Sequence, residues 1–199
     1  MTSTREKRYT DPRLLARARS MLLTVTDVLE RAGVPYHLEG GTLLGIVRDG
    51  DLLPWDNDMD LSVESVHLDR LKGALPRLVL AGLRVSRRRF TTDHPMWKRG
   101  AIRMIKVRRR KLLVLRGTPC LDVLIKYRHQ GYVYWEAADK VMRVPEDVYD
   151  GHAGVPFQGH VLRAPKQYER YLELKYGDWR TPVKEWNCAV DEKTVVGDV

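Results

Sequence analysis

At 199 residues the chain has room for one domain with a real core, and its 43% hydrophobic and 31% charged residues exclude a disordered chain. Its two cysteines, Cys120 and Cys188, make no disulfide framework, its first residues lack the apolar stretch of a secretory leader, and no apolar run is long enough to cross a bilayer. The expectation is a single domain over 1–199, cytoplasmic and in a reducing compartment. The net charge of +9 is unevenly spread: residues 84–116 hold thirteen Lys or Arg against the single acid Asp93, and residues 39–64 hold seven acids against the single base Arg48. An acidic pole beside a basic one suits a cation-bound polyphosphate; a solvated basic face is the plainer alternative.

Residues 12–32 read as a helix, capped by Asp11, with Pro12 in its first turn and Leu14, Ala18, Leu22, Val25 and Leu29 at helical spacing up to Gly33. Residues 36–38 form a short strand running into Gly40-Gly41, and 42–48 a short helix. A loop over 49–57 holds Gly50, Pro54 and Trp55. Residues 59–63 read as a strand, 67–80 as a second helix stopped by Gly82, and 83–85 as the start of another strand. Residues 101–107 and 112–115 suggest a hairpin with the basic run 108–111 as its turn, and 121–127 a buried strand. Tyr132, Tyr134 and Trp135 suit the buried face of a strand, and 167–176 read as a last helix ended by Gly177. This order points to an α+β (α/β-like) fold, a mixed β-sheet flanked by helices with a C-terminal helical segment.

Two features carry chemistry. Gly40-Gly41-Thr42 joins a strand to a helix, where glycines let the backbone approach a ligand and the helix start offers free N–H groups to phosphate, although such a turn can be only a turn. Asp58 and Asp60 sit two apart in a strand and so point to one face, where a divalent cation between them would offset their repulsion; an exposed acidic turn including Asp56 is the alternative. Asp122, the lone acid of an apolar run, is the candidate third carboxylate of a two-metal site for displacement at phosphorus, or else a strand-start residue facing solvent. The six histidines show no zinc-ligand spacing.

The Gly-Gly-Thr turn, a short helix with Arg48, and Pro54-Trp55-Asp56-Asn57-Asp58-Met59-Asp60 together resemble the LicD family of the nucleotidyltransferase fold, which includes bacterial phosphocholine transferases and fukutin-type ribitol-phosphate transferases. Tyr171-Leu172-Glu173 and Tyr176-Gly177-Asp178-Trp179 extend the likeness, so that it spans about 35–182. Asn57 departs from it, many members having Asp there. The resemblance implies an Mg²⁺- or Mn²⁺-dependent transfer of a phospho-alcohol from a CDP-linked donor to a hydroxyl on a sugar or glycan, with release of CMP. Asp58 and Asp60 would hold metal against the diphosphate, and Asp122 would bind a second metal and could take the acceptor proton. Gly40, Gly41, Thr42, Arg48, Trp55, Asp56, Lys98, Arg99, Arg103 and Lys106 are the candidate substrate-binding residues. Arg103 and Lys106 have opposite strand parity and are not expected to face the site together. Two other readings remain: nucleotidyl transfer from an NTP to a small molecule, protein or RNA, and a non-enzymatic binder of nucleic acid or anionic glycan. The basic run 108–111 could contact nucleic acid but reads more simply as a solvated turn, so nucleic acid is not the expected partner.

Overall fold

The structure, a computed structural model, describes residues 9–111, 115–183, 186, 188 and 190–198, with the side chains of 110, 111 and 115–117 excepted. Helix α1 (Pro12–Arg31) starts where Asp11 accepts a hydrogen bond from the Arg13 N–H at 2.9 Å and buries Leu14, Ala18, Leu22, Val25 and Leu29 on one side. Strand β1 (His37–Leu38) leads into α2 (Gly40–Asp49), which begins at the glycines rather than after them and ends at Gly50, whose φ of 73° suits a residue without Cβ. Strand β2 (Asp58–Glu64) and α3 (Leu68–Leu80) follow the expected order.

Strand β3 (Leu83–Arg89), β4 (Ile102–Lys111) and β5 (Leu115–His129) are all longer than the sequence suggests. The basic run 108–111 is not the hairpin turn. Arg108 pairs with Cys120 and Arg84, Arg109 with Leu83, and Lys111 with Leu115, so these residues belong to β4; residues 112–114, part of the expected second strand, lie outside the described residues. Pairing on both edges of β4 outweighs the turn-like composition of the run.

Strand β6 (Tyr132–Ala137) and β7 (Lys140–Pro145) continue as a meander, β8 (His152–Phe157) and β9 (His160–Pro165) form a separate hairpin, and α4 (Tyr168–Tyr176) precedes β10 (Val195–Asp198), which pairs with β7. The chain thus returns to the sheet after its last helix. Among the described residues the main sheet has eight strands in the order β1-β2-β5-β6-β7-β10, with β4 pairing β5 and β3 pairing β4. Only β2 and β5 run parallel in it, so the α+β class with a mixed sheet holds. Helices α1 and α3 cover one face, over Met59, Leu61, Val63, Ile105, Val107, Leu121 and Val123. Among the described residues no helix is long and apolar enough to cross a membrane.

Candidate active site

Strand register builds the uncovered face. The pairing of β2 with β5 aligns Asp58 with Cys120, Asp60 with Asp122 and Ser62 with Leu124; β4 continues these rows with Arg108, Lys106 and Met104, and β3 with Arg84, Ser86 and Arg88. Residues in register share a face. One face therefore runs from carboxylates on β2 and β5 to cations on β4 and β3. A cavity of 740 Å³ lies over it, lined among others by Asp58, Asp60, Asp122, Arg48, Trp55 and Trp179.

The carboxylates oppose one another. Burial, then Asp56 and Asp122, push Asp58 up to about 7; burial, then Asp58 and Asp122, push Asp60 well above the usual range; burial raises Asp56. Asp122 is partly relieved: its Oδ2 accepts from Lys106 Nζ at 2.6 Å, and its Oδ1 from the Cys120 thiol at 3.3 Å. Burial and the neighbouring Asp122 push that thiol up to about 12, so it stays protonated and able to donate.

Helix α2 presents its first turn to the cavity. Its cap residue Glu39 makes no side-chain bond to the helix N–H groups. The Glu39 carboxylate turns instead into a buried cluster, accepting from the hydroxyls of Tyr149 and Tyr171 and lying 3.3 Å from Lys126 Nζ. Burial opposes its charge, but Lys126, Lys175 and the two hydroxyls hold it below the ordinary range. The helix start is left open to an anion. A Cβ on Gly41 would stand 2.3 Å from Asp56 Oδ2, and one on Gly40 3.0 Å from Asp60 Oδ2, so the two glycines let the acidic loop and β2 close against α2. Lys175 lies beneath the same floor, its Nζ 2.5 and 2.6 Å from the Glu192 carboxylate.

A family model described as the LicD/FKTN/FKRP nucleotidyltransferase domain matches residues 33–167, which include β1, α2 and all three carboxylates. The chain belongs to this family. It is 34% identical over 178 residues to the ribitol 5-phosphate transferase FKRP of Homo sapiens, and equally to that of Mus musculus, covering 86% of this chain and 33% of each relative. It thus spans about a third of the length of the curated relatives it matches. An uncharacterized protein of Rickettsia typhi, RT0683, is 24% identical over 72% of the chain and 36% of that protein. Among solved structures, ANT(2")-Ia with adenylyl-2"-tobramycin matches with a TM-score of 0.44 and 15% identity over 77% of this chain and 75% of that one. A solution structure of ANT(2'')-Ia matches with a TM-score of 0.48 and 16% identity over 85% and 79%.

Of the residues that suggested the LicD family, Gly40, Gly41, Arg48, Trp55, Asp56, Asp58, Asp60 and Asp122 line the one cavity. Arg48 bonds Asp49 at 2.8 and 2.9 Å and the Trp179 carbonyl at 3.3 Å, with its guanidinium 5.9 Å from the Trp55 ring centre. Thr42 is not a lining residue: it is buried, and its Oγ1 accepts from the Asp60 N–H at 2.8 Å, which ties α2 to β2. Lys98 and Arg99 do not line the cavity either; they lie in the β3–β4 connection, where the His94 ring stacks on Trp97 and the Arg99 N–H bonds Asp93. Arg103 and Lys106 both line it, against parity. The β3–β4 register shifts between Arg88 and Arg89, opposite Arg103, and this turns Arg103 to Glu136 at 3.0 Å. Sequence reasoning missed Glu39, Lys126, Lys175 and Glu192. Lys126 could have been found, since it shares strand parity with Asp122 inside an apolar run; Glu192 left no such signal.

Proposed function

We propose that this LicD-family chain transfers a phospho-alcohol, phosphocholine- or ribitol-phosphate-like, from a CDP-linked donor to a hydroxyl of a sugar or glycan acceptor, releasing CMP. One observation carries the reading: Asp58, Asp60 and Asp122 stand together on adjacent strands, with the open start of α2 on one side and Lys106 on the other. The human relative is a ribitol 5-phosphate transferase by name, which supports the choice of donor.

The donor set fits Mg²⁺ or Mn²⁺ in kind. Carboxylates that burial and mutual repulsion hold above their usual pKa gain from a divalent cation, and oxygen ligands on β2 and β5 suit a hard one. Among the described residues no three ligating groups enclose a common point, and Lys106 pairs with Asp122 at 2.6 Å. Asp58 and Asp60 would hold the cation, and Asp122 would join them when Lys106 moves. The bound cation would supply charge neutralisation at the diphosphate.

In the displacement the acceptor oxygen bonds to phosphorus as the bond to CMP breaks. The hydroxyl proton passes to Asp122 Oδ2, the atom that Lys106 now faces. The N–H groups of α2 and the Arg48 guanidinium stabilise charge on the departing phosphate. Trp55 and Trp179 wall the cleft against water.

Calorimetric titration of CDP-ribitol, CDP-choline and NTPs, with and without Mg²⁺, tests this in the wild type and Asp58→Ala. Mg²⁺-dependent binding of one CDP-alcohol, lost in the variant, is expected. Mg²⁺-dependent binding of an NTP instead would establish nucleotidyl transfer. Binding of nucleic acid alone, steeply weakened by salt and indifferent to Asp58→Ala, would make the chain a non-enzymatic binder.

A further inference from the structure

Lys126 is fully buried on β5, in the strand parity of Asp122. Its Nζ lies 3.3 Å from Glu39 Oε1 and 3.2 Å from the centre of the Trp135 ring. Glu39 is buried as well, and it also accepts from the Tyr149 and Tyr171 hydroxyls. A buried ion pair of this kind adds little stability over apolar residues of the same volume, because both charges lose their water. Its place in the fold gives it another use. Glu39 is the cap residue of α2, where the first intrahelical bond runs from the Leu43 N–H to the Glu39 carbonyl at 3.0 Å. The N–H groups of Gly40, Gly41 and Thr42 therefore find no acceptor within the helix, and Gly40 and Gly41 line the cavity.

A carboxylate at such a helix start is drawn to the free N–H groups and to the positive end of the helix dipole. Glu39 thus carries on its own side chain an anion that competes with a phosphate for that place. Lys126, Tyr149 and Tyr171 hold it away, and of the three only Lys126 balances its charge. Lys175 also lies within its field but is held by Glu192 at 2.5 and 2.6 Å. We infer that Lys126 is a positioning residue: by holding the Glu39 carboxylate in the buried cluster, it keeps the start of α2 free for the donor diphosphate. It acts through Glu39 and touches neither donor nor cation. The inference rests on the proposed binding of a diphosphate at α2 and adds the residue that keeps the helix start open.

Two probes separate the helix start from the carboxylates: pyrophosphate with Mg²⁺, followed by calorimetry, and Mn²⁺ alone, followed by EPR. Lys126→Met keeps the length of the side chain and leaves Glu39 without its cation. It should weaken pyrophosphate about tenfold, the scale of a charge at a helix start, and leave Mn²⁺ affinity within about twofold. Lys126→Met/Glu39→Gln removes the competing charge and should return pyrophosphate to within about twofold of the wild type. Equal weakening of both probes would mean a general loosening of the fold, and a double variant as weak as the single one would clear Glu39; either result overturns the inference. If Lys126→Met does not fold, Tyr171→Phe removes one hydroxyl and no charge, and should weaken pyrophosphate about threefold, again reversed by Glu39→Gln. No change in Tyr171→Phe would then overturn the inference. CDP-ribitol keeps the two readings apart. A wild type that binds pyrophosphate but not CDP-ribitol would sink the donor assignment and leave the Lys126 comparison to decide its own question. A wild type that binds neither would show that α2 receives no diphosphate and would overturn the inference as well.

Discussion

Asp58 and Asp60 are retained at a cost. Both are buried, Asp58 in the field of Asp56 and Asp122 and Asp60 in that of Asp58 and Asp122, and without a cation that cost is stored in the folded state alone. Asp58→Asn should therefore stabilise the metal-free protein at pH 8 by about 1 kcal/mol, roughly 2–4 °C in Tm, while abolishing Mg²⁺-dependent donor binding. Thermal melts in EDTA and titration in Mg²⁺ read the two effects separately, and a loss of Tm would show that the aspartate is structural. His37 behaves in the opposite sense. Burial, only partly offset by Glu39, lowers it to about 4, and its Nε2 donates to the Gly151 carbonyl at 3.1 Å. The unfolded chain takes up a proton near pH 6.5 that the folded chain refuses until about 4. The stability this group contributes is thus complete above pH 6.5 and lost as pH falls towards 4, by about 3 kcal/mol. Denaturant midpoints across that window should fall with acid in the wild type and stay nearly level in His37→Gln. The three carboxylates were legible in the sequence because i and i+2 parity and a lone acid in an apolar run both carry a physical cost that demands a partner. His37 was not, because nothing in a two-residue strand says which face a neighbouring hairpin will cover.

Helix α2 and the acidic loop after it form one element, and Gly45 is where they meet. A Cβ there would lie 2.5 Å from the Asp51 carbonyl and 2.9 Å from the Leu53 N–H, both backbone atoms that cannot rotate away. Gly→Ala inside a helix ordinarily gains about 1 kcal/mol. Gly45→Ala should instead lose about 1–3 kcal/mol, with Trp55 and Asp56 displaced, measurable by chemical denaturation and Trp fluorescence. An increase in stability would show that the loop is free to shift. The glycine pattern was visible in the sequence; its reason, close approach of the returning backbone, depends on the fold. The basic run shows the reverse failure. Arg108-Arg109-Arg110-Lys111 looks like a solvated turn in composition, but composition does not register that β3 and β5 flank it and make it a strand. The same blindness hid the register shift that brings Arg103 and Lys106 to one cavity. Strands β8 and β9 left little pattern to read, since Gly154 and Pro156 interrupt the first and burial does not alternate cleanly along the second.

Across the whole molecule, the C-terminal stretch is fastened to the site through buried charge. Lys175 on α4 meets Glu192, which also accepts from Thr194 and the Cys188 thiol, and the Lys193 N–H bonds the Lys175 carbonyl. Lys175→Met, which leaves Glu192 buried without its partner, should cost about 3–5 kcal/mol. Adding Glu192→Leu should recover most of it, as a double-mutant cycle in urea would measure; additive losses would mean that the pair is not coupled. The α+β class with its mixed sheet followed from element order, whereas the parallel pairing of β2 with β5 and the return of the chain to pair β10 with β7 depend on contacts far apart in sequence and left no local trace. Strand β5 bears on how the protein comes apart. It is flanked by β2 and β4 on its two edges over 120–124 and lies under α1. Amides there should exchange with solvent only by global unfolding, while those around 190–198 exchange through smaller openings. Asp122 would then be among the last side chains to lose its place on warming, and the wall of the cleft that Trp186 and Glu192 help to form among the first. Deuterium uptake followed by mass spectrometry would show a site whose floor outlasts its walls.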